Sequence, residues 1–281
     1  MILSKKNFNI NPVLLTNIVF AFFPISFIFG NLITNINTIL FCCLGIFHLR
    51  SKILTTEFNL SIKIIFLFFF VIFFSTSLDF LKSLYLNEYE YYDLIKLVKS
   101  ILFFRFFLML VIVYLLSKFD ILNFKYFFIS AAFSPILLSL DVIYQYIFGY
   151  DILGFKNDGL RNGGFFGDEF IAGAYIERFS FFAIFFTIFT LQNRNYTKFT
   201  LAAVVTSIVG VGILVSGNRM PLFLFLFGIF FTFFFNIKIK KILFSSLVCL
   251  LIFLNFTISS NETMQLSYAS MYTNVKSILF G

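Results

Sequence analysis

Apolar runs long enough to cross a lipid bilayer recur along almost the whole sequence. A membrane-spanning helix needs about 20 apolar residues, with a working range of roughly 17 to 25. We therefore predict an all-α fold, a polytopic transmembrane helix bundle that forms a single integral-membrane domain over residues 1–281. Its nine predicted spans lie at residues 12–29, 31–48, 62–78, 97–117, 124–148, 170–191, 198–215, 219–235 and 241–259.

The composition excludes most classes of soluble protein. Hydrophobic residues make up 60% of the chain and charged residues 12%, whereas a soluble domain is roughly one quarter charged. The net charge of +8 comes from basic residues in short loops between apolar runs, so no nucleic-acid partner is predicted. Cys42, Cys43 and Cys249 lie inside apolar runs without metal-site or disulfide spacing, and we interpret them as small apolar side chains. No metal and no cofactor is predicted.

The distribution of lysine and arginine predicts the orientation of the bundle, because cytoplasmic loops are enriched in both. One set of helix ends carries twelve cations with only Glu57 and Asp120 beside them, whereas eleven of the thirteen acidic residues lie on or just beneath the other side. We therefore place the N-terminus in the cytoplasm and, with nine spans, the C-terminus outside. The twelve cations are Lys5, Lys6, Arg50, Lys52, Lys63, Lys118, Lys125, Arg194, Lys198, Lys238, Lys240 and Lys241.

Three consecutive predicted spans carry ionisable residues on their external halves. These residues are Arg105 in the fourth span, Asp141 in the fifth, and Glu177 with Arg178 in the sixth. A charged side chain inside a membrane is costly and usually faces a partner or a cavity. One interpretation is a buried ion pair between Arg105 and Asp141 that holds helices together; the other is a layer of functional groups below the outer surface.

The stretch GLRNGGFFGDEFIAGAYIER, residues 159–178, combines glycines, arginines and acids in an otherwise apolar chain. We predict an external loop over residues 149–170, with Asp168 as the N-cap of the following helix. Glycines in this loop allow the backbone to approach a ligand closely. Asp168 and Glu169 would repel a phosphate, so we expect them to orient Arg161 and Arg178 or to contact sugar hydroxyls. An ordinary external turn is the competing interpretation.

A second polar segment, SGNRMPLF at residues 216–223, opens the eighth predicted span. Ser216 or Asn218 can cap that helix, and Pro221 suits a first helical turn. Arg219 is then directed outward from a helix start. Taken alone the signal is weak, because an interfacial arginine often meets only lipid headgroups.

Three motifs together resemble the O-antigen ligase and polymerase family, bacterial inner-membrane glycosyltransferases that use polyprenyl-diphosphate glycans. They are DVIYQYIFGYDILGF, GLRNGGFFGDEFIAGAYIERF and VSGNRMPLFLFLFGIF, and the resemblance is strongest over residues 141–235. It implies an enzyme of the bacterial inner membrane that transfers a glycan from undecaprenyl diphosphate at the periplasmic face, in lipopolysaccharide or surface-polysaccharide assembly. The acceptor would be lipid A–core or another lipid-linked glycan.

The resemblance also implies roles for individual residues. Arg161, Arg178 and Arg219 match the arginines expected to hold the diphosphate, and no metal is implied. Family ligases carry a histidine in a large later external loop, which this sequence lacks; the sole histidine, His48, lies at the predicted cytoplasmic end of the second span. We therefore expect a C-terminally truncated member without its general base, which binds the donor but transfers little or nothing.

Two other classes of function remain open from the sequence. A transporter or lipid flippase for anionic or lipid-linked substrates would use Arg105 and Asp141 to line a passage. Such proteins often show internal repeats and broken helices in corresponding positions, and no convincing repeat is visible here. The third class is a non-enzymatic membrane subunit or remnant.

Overall fold

The fold was analysed in a computed structural model. The structure describes residues 11–50, 52–86, 91–159, 161–190, 195–235, 240, 244–248, 250–253, 255 and 273. Within these ranges the chain is helical with no β-strand, apart from a bridge between Tyr150 and Lys156. The helices are α1 (Pro12–Ala21), α2 (Phe23–Ile28), α3 (Asn31–Leu49), α4 (Lys52–Thr55), α5 (Leu60–Tyr85), α6 (Tyr91–Lys118), α7 (Phe124–Phe148), α8 (Ala172–Thr190), α9 (Asn195–Val215) and α10 (Arg219–Phe235).

Four of these helices, α3, α5, α6 and α7, are long and apolar enough to cross a membrane. The all-α prediction and the prediction of transmembrane helices are thus confirmed at this coarser level. Much of the surface of α5 consists of exposed large hydrophobic side chains, including Phe66, Phe70 and Phe74. Such a surface suits contact with lipid rather than water.

Over the predicted span at 12–29 the structure has two helices, α1 and α2, in place of one continuous helix. The division falls beside Pro24, which occupies the first turn of α2. Proline has no backbone N–H, so it fits a helix start better than a helix interior. Gly30 then takes a φ of +90° between α2 and α3, at the boundary where the sequence predicted an interruption.

Several other predicted boundaries differ from the observed ones. α5 extends seven residues past the predicted end at 78, and α6 begins at Tyr91 rather than at 97. Polar residues such as Asp79 and Asp93 continue these helices beyond their apolar parts. Of the ninth predicted span, 241–259, the structure describes helical residues at 244–248, 250–253 and 255; the rest lies outside the described residues.

Contacts divide the chain into two compact units, of which the first comprises residues 1–20 and 34–124. Within it, the side chain of Asn17 links α1 to the segment after α6. Its Nδ2 donates to the carbonyl of Ile121 at 3.0 Å, and its Oδ1 accepts from the amide of Asn123 at 2.6 Å. α5 and α6 are joined by a hydrogen bond of 2.9 Å from Thr76 to Ser100 and by phenylalanine rings.

The second unit comprises residues 21–33 and 125–281 and contains α2 and α7 to α10. Its core is built from buried aliphatic residues of α7, α8, α9 and α10, such as Leu138, Ile176, Ile213 and Ile229. The hydroxyl of Tyr175 in α8 donates to the carbonyl of Pro24 at 2.6 Å. This unit also carries the loop between α7 and α8 and the turn between α9 and α10, which hold most of the candidate site.

Candidate functional site

The loop that follows α7 begins with a compact hairpin-like segment. Gly149 ends the helix with a φ of +82°, a backbone conformation that favours glycine. Asp151 then makes two hydrogen bonds with Phe155: its backbone amide donates to the carbonyl of Phe155 at 2.9 Å, and its side-chain Oδ1 accepts from the amide of Phe155 at 2.6 Å. The start of the loop is therefore ordered by its own hydrogen bonds.

Two buried polar residues of α7, Asp141 and Gln145, hold this loop against the helix. They lie one helical turn apart and thus on the same face. Asp141 Oδ1 accepts a hydrogen bond of 3.0 Å from the amide of Ile152. Gln145 donates from Nε2 to the carbonyl of Phe155 at 3.0 Å and accepts at Oε1 from the amide of Gly164 at 2.8 Å. Gln145 thereby joins the early and the late parts of the loop to one point on α7.

Gly164 lies directly against α7. Its φ is +54°, and a Cβ at this position would lie 2.8 Å from Asp141 Oδ2 and 2.8 Å from Val142 Cγ2. The predicted close approach of this backbone to a ligand stays a prediction; the close approach that the structure describes is to α7. A single 3₁₀ turn, Gly164–Phe166, begins at this residue.

Asn162 and Asn218 connect the loop to the turn between α9 and α10. Asn162 donates from Nδ2 to the carbonyl of Val215 at 2.5 Å and from its backbone amide to the carbonyl of Ser216 at 3.3 Å. In the opposite direction, Asn218 donates from Nδ2 to the carbonyl of Phe170 at 2.9 Å. We call this reciprocal pair of side-chain amides, Asn162 and Asn218, the asparagine clasp.

Gly173, the second residue of α8, strengthens the same contact. A Cβ at this position would lie 2.3 Å from Ser216 Oγ and 3.0 Å from Asn218 Cβ, so α8 meets the turn with no space for a side chain. Small residues permit such close approach between segments in a membrane protein. The loop, the start of α8 and the turn before α10 therefore form one hydrogen-bonded assembly within the second unit.

The clasp brings together the segments that bear two of the three predicted arginines. Arg161 precedes Asn162 and is exposed, with its amide bonded to the Asp158 carboxylate. Arg219 follows Asn218 as the first residue of α10 and is half-buried. Cations beside a helix start favour an anionic ligand.

The third arginine, Arg178, lies within α8 and is exposed. At 3.6 residues per turn it lies about 140° around the helix from Gly173, whereas Glu177 lies about 40° from Gly173. Gly173 marks the face of α8 that meets the α9–α10 turn. On that face the nearer charged residue is Glu177, and Arg178 extends from a different side.

Two acidic residues that were predicted to support the site lie in the loop before α8. Asp168 and Glu169 are both exposed in the loop. The prediction that Asp168 is the N-cap of the next helix is wrong: α8 begins at Ala172, because a turn at 167–168 and a non-helical stretch to Ile171 come first. Asp168 therefore remains a loop carboxylate close in sequence to the clasp.

Arg105 and Asp141, for which an ion pair was one of two interpretations, belong to different units. The guanidinium of Arg105 lies over the ring of Phe106 at 4.8 Å, an interaction within its own helix. Asp141 is buried, and its carboxylate contacts the loop through Ile152 and Gly164. In the second unit Asp141 thus acts on the loop geometry, a role that the ion-pair interpretation did not anticipate.

Sequence reasoning missed Asn162 and Gln145 as parts of the site. Each is a neutral amide that is almost completely buried, at 3% and 0% exposed. A buried amide needs hydrogen-bond partners, so a lone Gln within an apolar span was a usable signal. Within the described residues, no group of three or more His, Cys, Asp or Glu side chains is arranged to hold a metal ion.

The site as described is a loop with a fixed backbone, two arginines beside the clasp, and carboxylates at its edge. Comparison with known proteins adds no family to this description. No family model, no curated protein and no solved structure matches the chain.

Proposed function

We propose that this chain is a multi-pass protein of the bacterial inner membrane that binds a glycan linked to undecaprenyl diphosphate at the periplasmic face. In this proposal it is an O-antigen ligase-like or polymerase-like glycosyltransferase of lipopolysaccharide or surface-polysaccharide assembly. The nine spans, the cytoplasmic N-terminus and the external loop at 149–170 are parts of the proposal. The acceptor is lipid A–core or a second lipid-linked glycan.

The observation that carries the proposal is the hydrogen-bonded contact between the Arg161 loop and the Arg219 turn. Asn162 bonds the carbonyls of Val215 and Ser216, so two segments far apart in sequence meet beside their arginines. Arg donates two parallel hydrogen bonds and stays charged at all relevant pH values, which suits the oxygens of a diphosphate. A fixed loop with two such groups fits a lipid headgroup of this charge.

The same arginines also assist transfer of the glycan to the acceptor. In a direct displacement, the acceptor oxygen forms a bond to the anomeric carbon while the bond from that carbon to the diphosphate oxygen breaks. The acceptor hydroxyl releases its proton to solvent water, and the departing diphosphate gains one negative charge. Cations already in place at a leaving group stabilise that developing charge without reorganising. In this proposal Arg161 and Arg219 supply the stabilisation; Arg178, which extends from a different side of α8, is tested alongside them.

Substitution of the arginines tests the proposal. Arg161→Ala, Arg178→Ala and Arg219→Ala would each be reconstituted in lipid nanodiscs, and binding of undecaprenyl diphosphate measured. Loss of a hydrogen bond to a charged group typically costs about 1.5–3 kcal/mol, so we expect affinity to fall roughly tenfold or more for Arg161 and Arg219.

Arg50→Ala is the matched control. Arg50 lies beyond the end of α3, on the predicted cytoplasmic side, where its guanidinium is 5.6 Å from the Phe47 ring centre. Its removal changes the net charge equally but should leave binding unchanged. If the Arg161 and Arg219 variants bind undecaprenyl diphosphate as tightly as the parent protein, the proposed function is wrong.

A further inference from the structure

Each asparagine of the clasp is the direct sequence neighbour of one arginine. Arg161 precedes Asn162, and Asn218 precedes Arg219. Asn162 donates across to the end of α9, and Asn218 donates back to the carbonyl of Phe170 before α8. The two side chains thus fix the backbone on which both guanidinium groups are carried.

Burial and a hydrogen bond to α7 also restrain the clasp. Asn162 is 3% exposed and Ser216 is fully buried, so water does not compete for these bonds. Two residues after Asn162, the amide of Gly164 donates to Gln145 Oε1 of α7 at 2.8 Å. The short segment from Asn162 to Gly164 is therefore attached to α9 at one end and to α7 at the other, and its position relative to Arg219 has little freedom.

We propose that Asn162 and Asn218 are positioning residues that fix the separation of Arg161 and Arg219, and that this fixed separation makes the site prefer a diphosphate headgroup to a monophosphate. The inference rests on the proposed function and adds the origin of its headgroup specificity. Neither asparagine needs to contact the ligand. Each acts through the arginine beside it.

The physical reason is preorganisation. A diphosphate presents two anionic groups at a nearly constant distance, and it gains from two guanidinium groups only when both are held at a matching distance. When the arginines are already fixed, binding does not have to order them, and both contacts contribute to affinity. A monophosphate presents one anionic group, so its affinity depends much less on the relative position of the two arginines.

The experiment compares two lipids that differ only by one phosphate. Full-length protein in nanodiscs would be titrated with undecaprenyl diphosphate and with undecaprenyl monophosphate, and the ratio of the two Kd values determined. For the parent protein we expect a preference of roughly tenfold or more for the diphosphate, because that lipid makes one additional charge-assisted hydrogen bond. Asn162→Ala and Asn218→Ala should each reduce this ratio severalfold while changing monophosphate affinity less than about twofold.

Asn157→Ala is the matched control. Asn157 lies in the same loop, and its described hydrogen bond runs from its backbone amide to the carbonyl of Gly149, which alanine preserves. The ratio should stay at the parent value in this variant. Because Asn162 is buried, its variant could be unstable; in that case Asn218→Ala, at a half-buried position, decides the question.

The inference is overturned if both asparagine variants keep the parent preference for diphosphate. It is also overturned if they weaken both lipids equally, since that result indicates a purely structural role. These outcomes are distinct from failure of the proposed function, in which Arg161→Ala and Arg219→Ala bind undecaprenyl diphosphate like the parent.

Discussion

Gly164 is a residue of the loop that has no room for an added methyl group. A Cβ there would lie 2.8 Å from Asp141 Oδ2 and from Val142 Cγ2. We predict that Gly164→Ala destabilises the protein by about 1–3 kcal/mol, because overpacking forces a buried neighbour or the loop to move. Thermal unfolding in detergent, followed by the change in Tm, measures the effect.

Gly159→Ala is the control for that prediction. Gly159 also has a positive φ, +83°, but a Cβ there would have nothing within 4 Å. Its substitution should cost only the backbone penalty, about 1–2 kcal/mol or less in an exposed loop that can relax. Equal losses of stability in the two variants would show that Gly164 is needed for its backbone angle alone, and not for its contact with α7.

The sequence was informative about some residues of the site and silent about others. Arginines and glycines in an apolar chain are conspicuous, so Arg161 and Arg219 could be selected without a structure. The contacts of Asn162 and Asn218 join residues 53 and 48 positions apart, and no local pattern reveals such pairing. The same limit explains why neither interpretation of Asp141 included its hydrogen bond from the loop amide of Ile152.

At the scale of elements, α7 and α9 approach each other through small residues. A Cβ on Gly212 of α9 would lie 2.6 Å from Ser139 Cβ and 2.9 Å from Ser139 Cα in α7. We predict that Gly212→Ala separates the two helices and lowers Tm, since close packing of small residues supports helix association in membranes. The substitution should be costlier than an ordinary Gly-to-Ala change in a helix, which is usually favourable.

A double-mutant cycle identifies the contact responsible. Ser139→Gly removes the Cβ that meets Gly212 and alone should cost roughly 1 kcal/mol as a helix glycine. If the contact is correct, the combined variant loses less stability than the sum of the two single changes. Strict additivity, measured by Tm in the same detergent, would contradict the described packing of α7 on α9.

Helix positions were predicted better than helix ends. The predicted span 31–48 corresponds to Asn31–Leu49, and the predicted span 219–235 corresponds to Arg219–Phe235. The predicted boundaries are wrong where hydropathy does not determine where a helix begins or ends. Pro24 divides one apolar run into α1 and α2, and the helices around Asp79 and Asp93 continue through polar residues. A run of apolar residues shows which part of a helix is compatible with lipid. The helix itself ends where capping and turn geometry allow.

At the scale of the whole molecule, the proposed orientation is testable by cysteine labelling. In a variant with Cys42, Cys43 and Cys249 replaced, single cysteines at Asp158 and Glu57 would occupy exposed positions. We predict that a membrane-impermeant maleimide labels position 158 in spheroplasts, and position 57 only after permeabilisation. This result follows from the excess of lysine and arginine on the side of Glu57. The reverse pattern would place the candidate site in the cytoplasm.

The central claim is that the Arg161 loop and the Arg219 turn form one binding site for a lipid diphosphate. The most direct measurement is photocrosslinking with an undecaprenyl diphosphate analogue that carries the reactive group next to the diphosphate, followed by peptide mapping. We predict crosslinks in both segments, 158–167 and 215–220, and competition of both by unlabelled undecaprenyl diphosphate. Crosslinks in one segment alone, or near Arg50 and Glu57 on the predicted cytoplasmic side, would contradict the account.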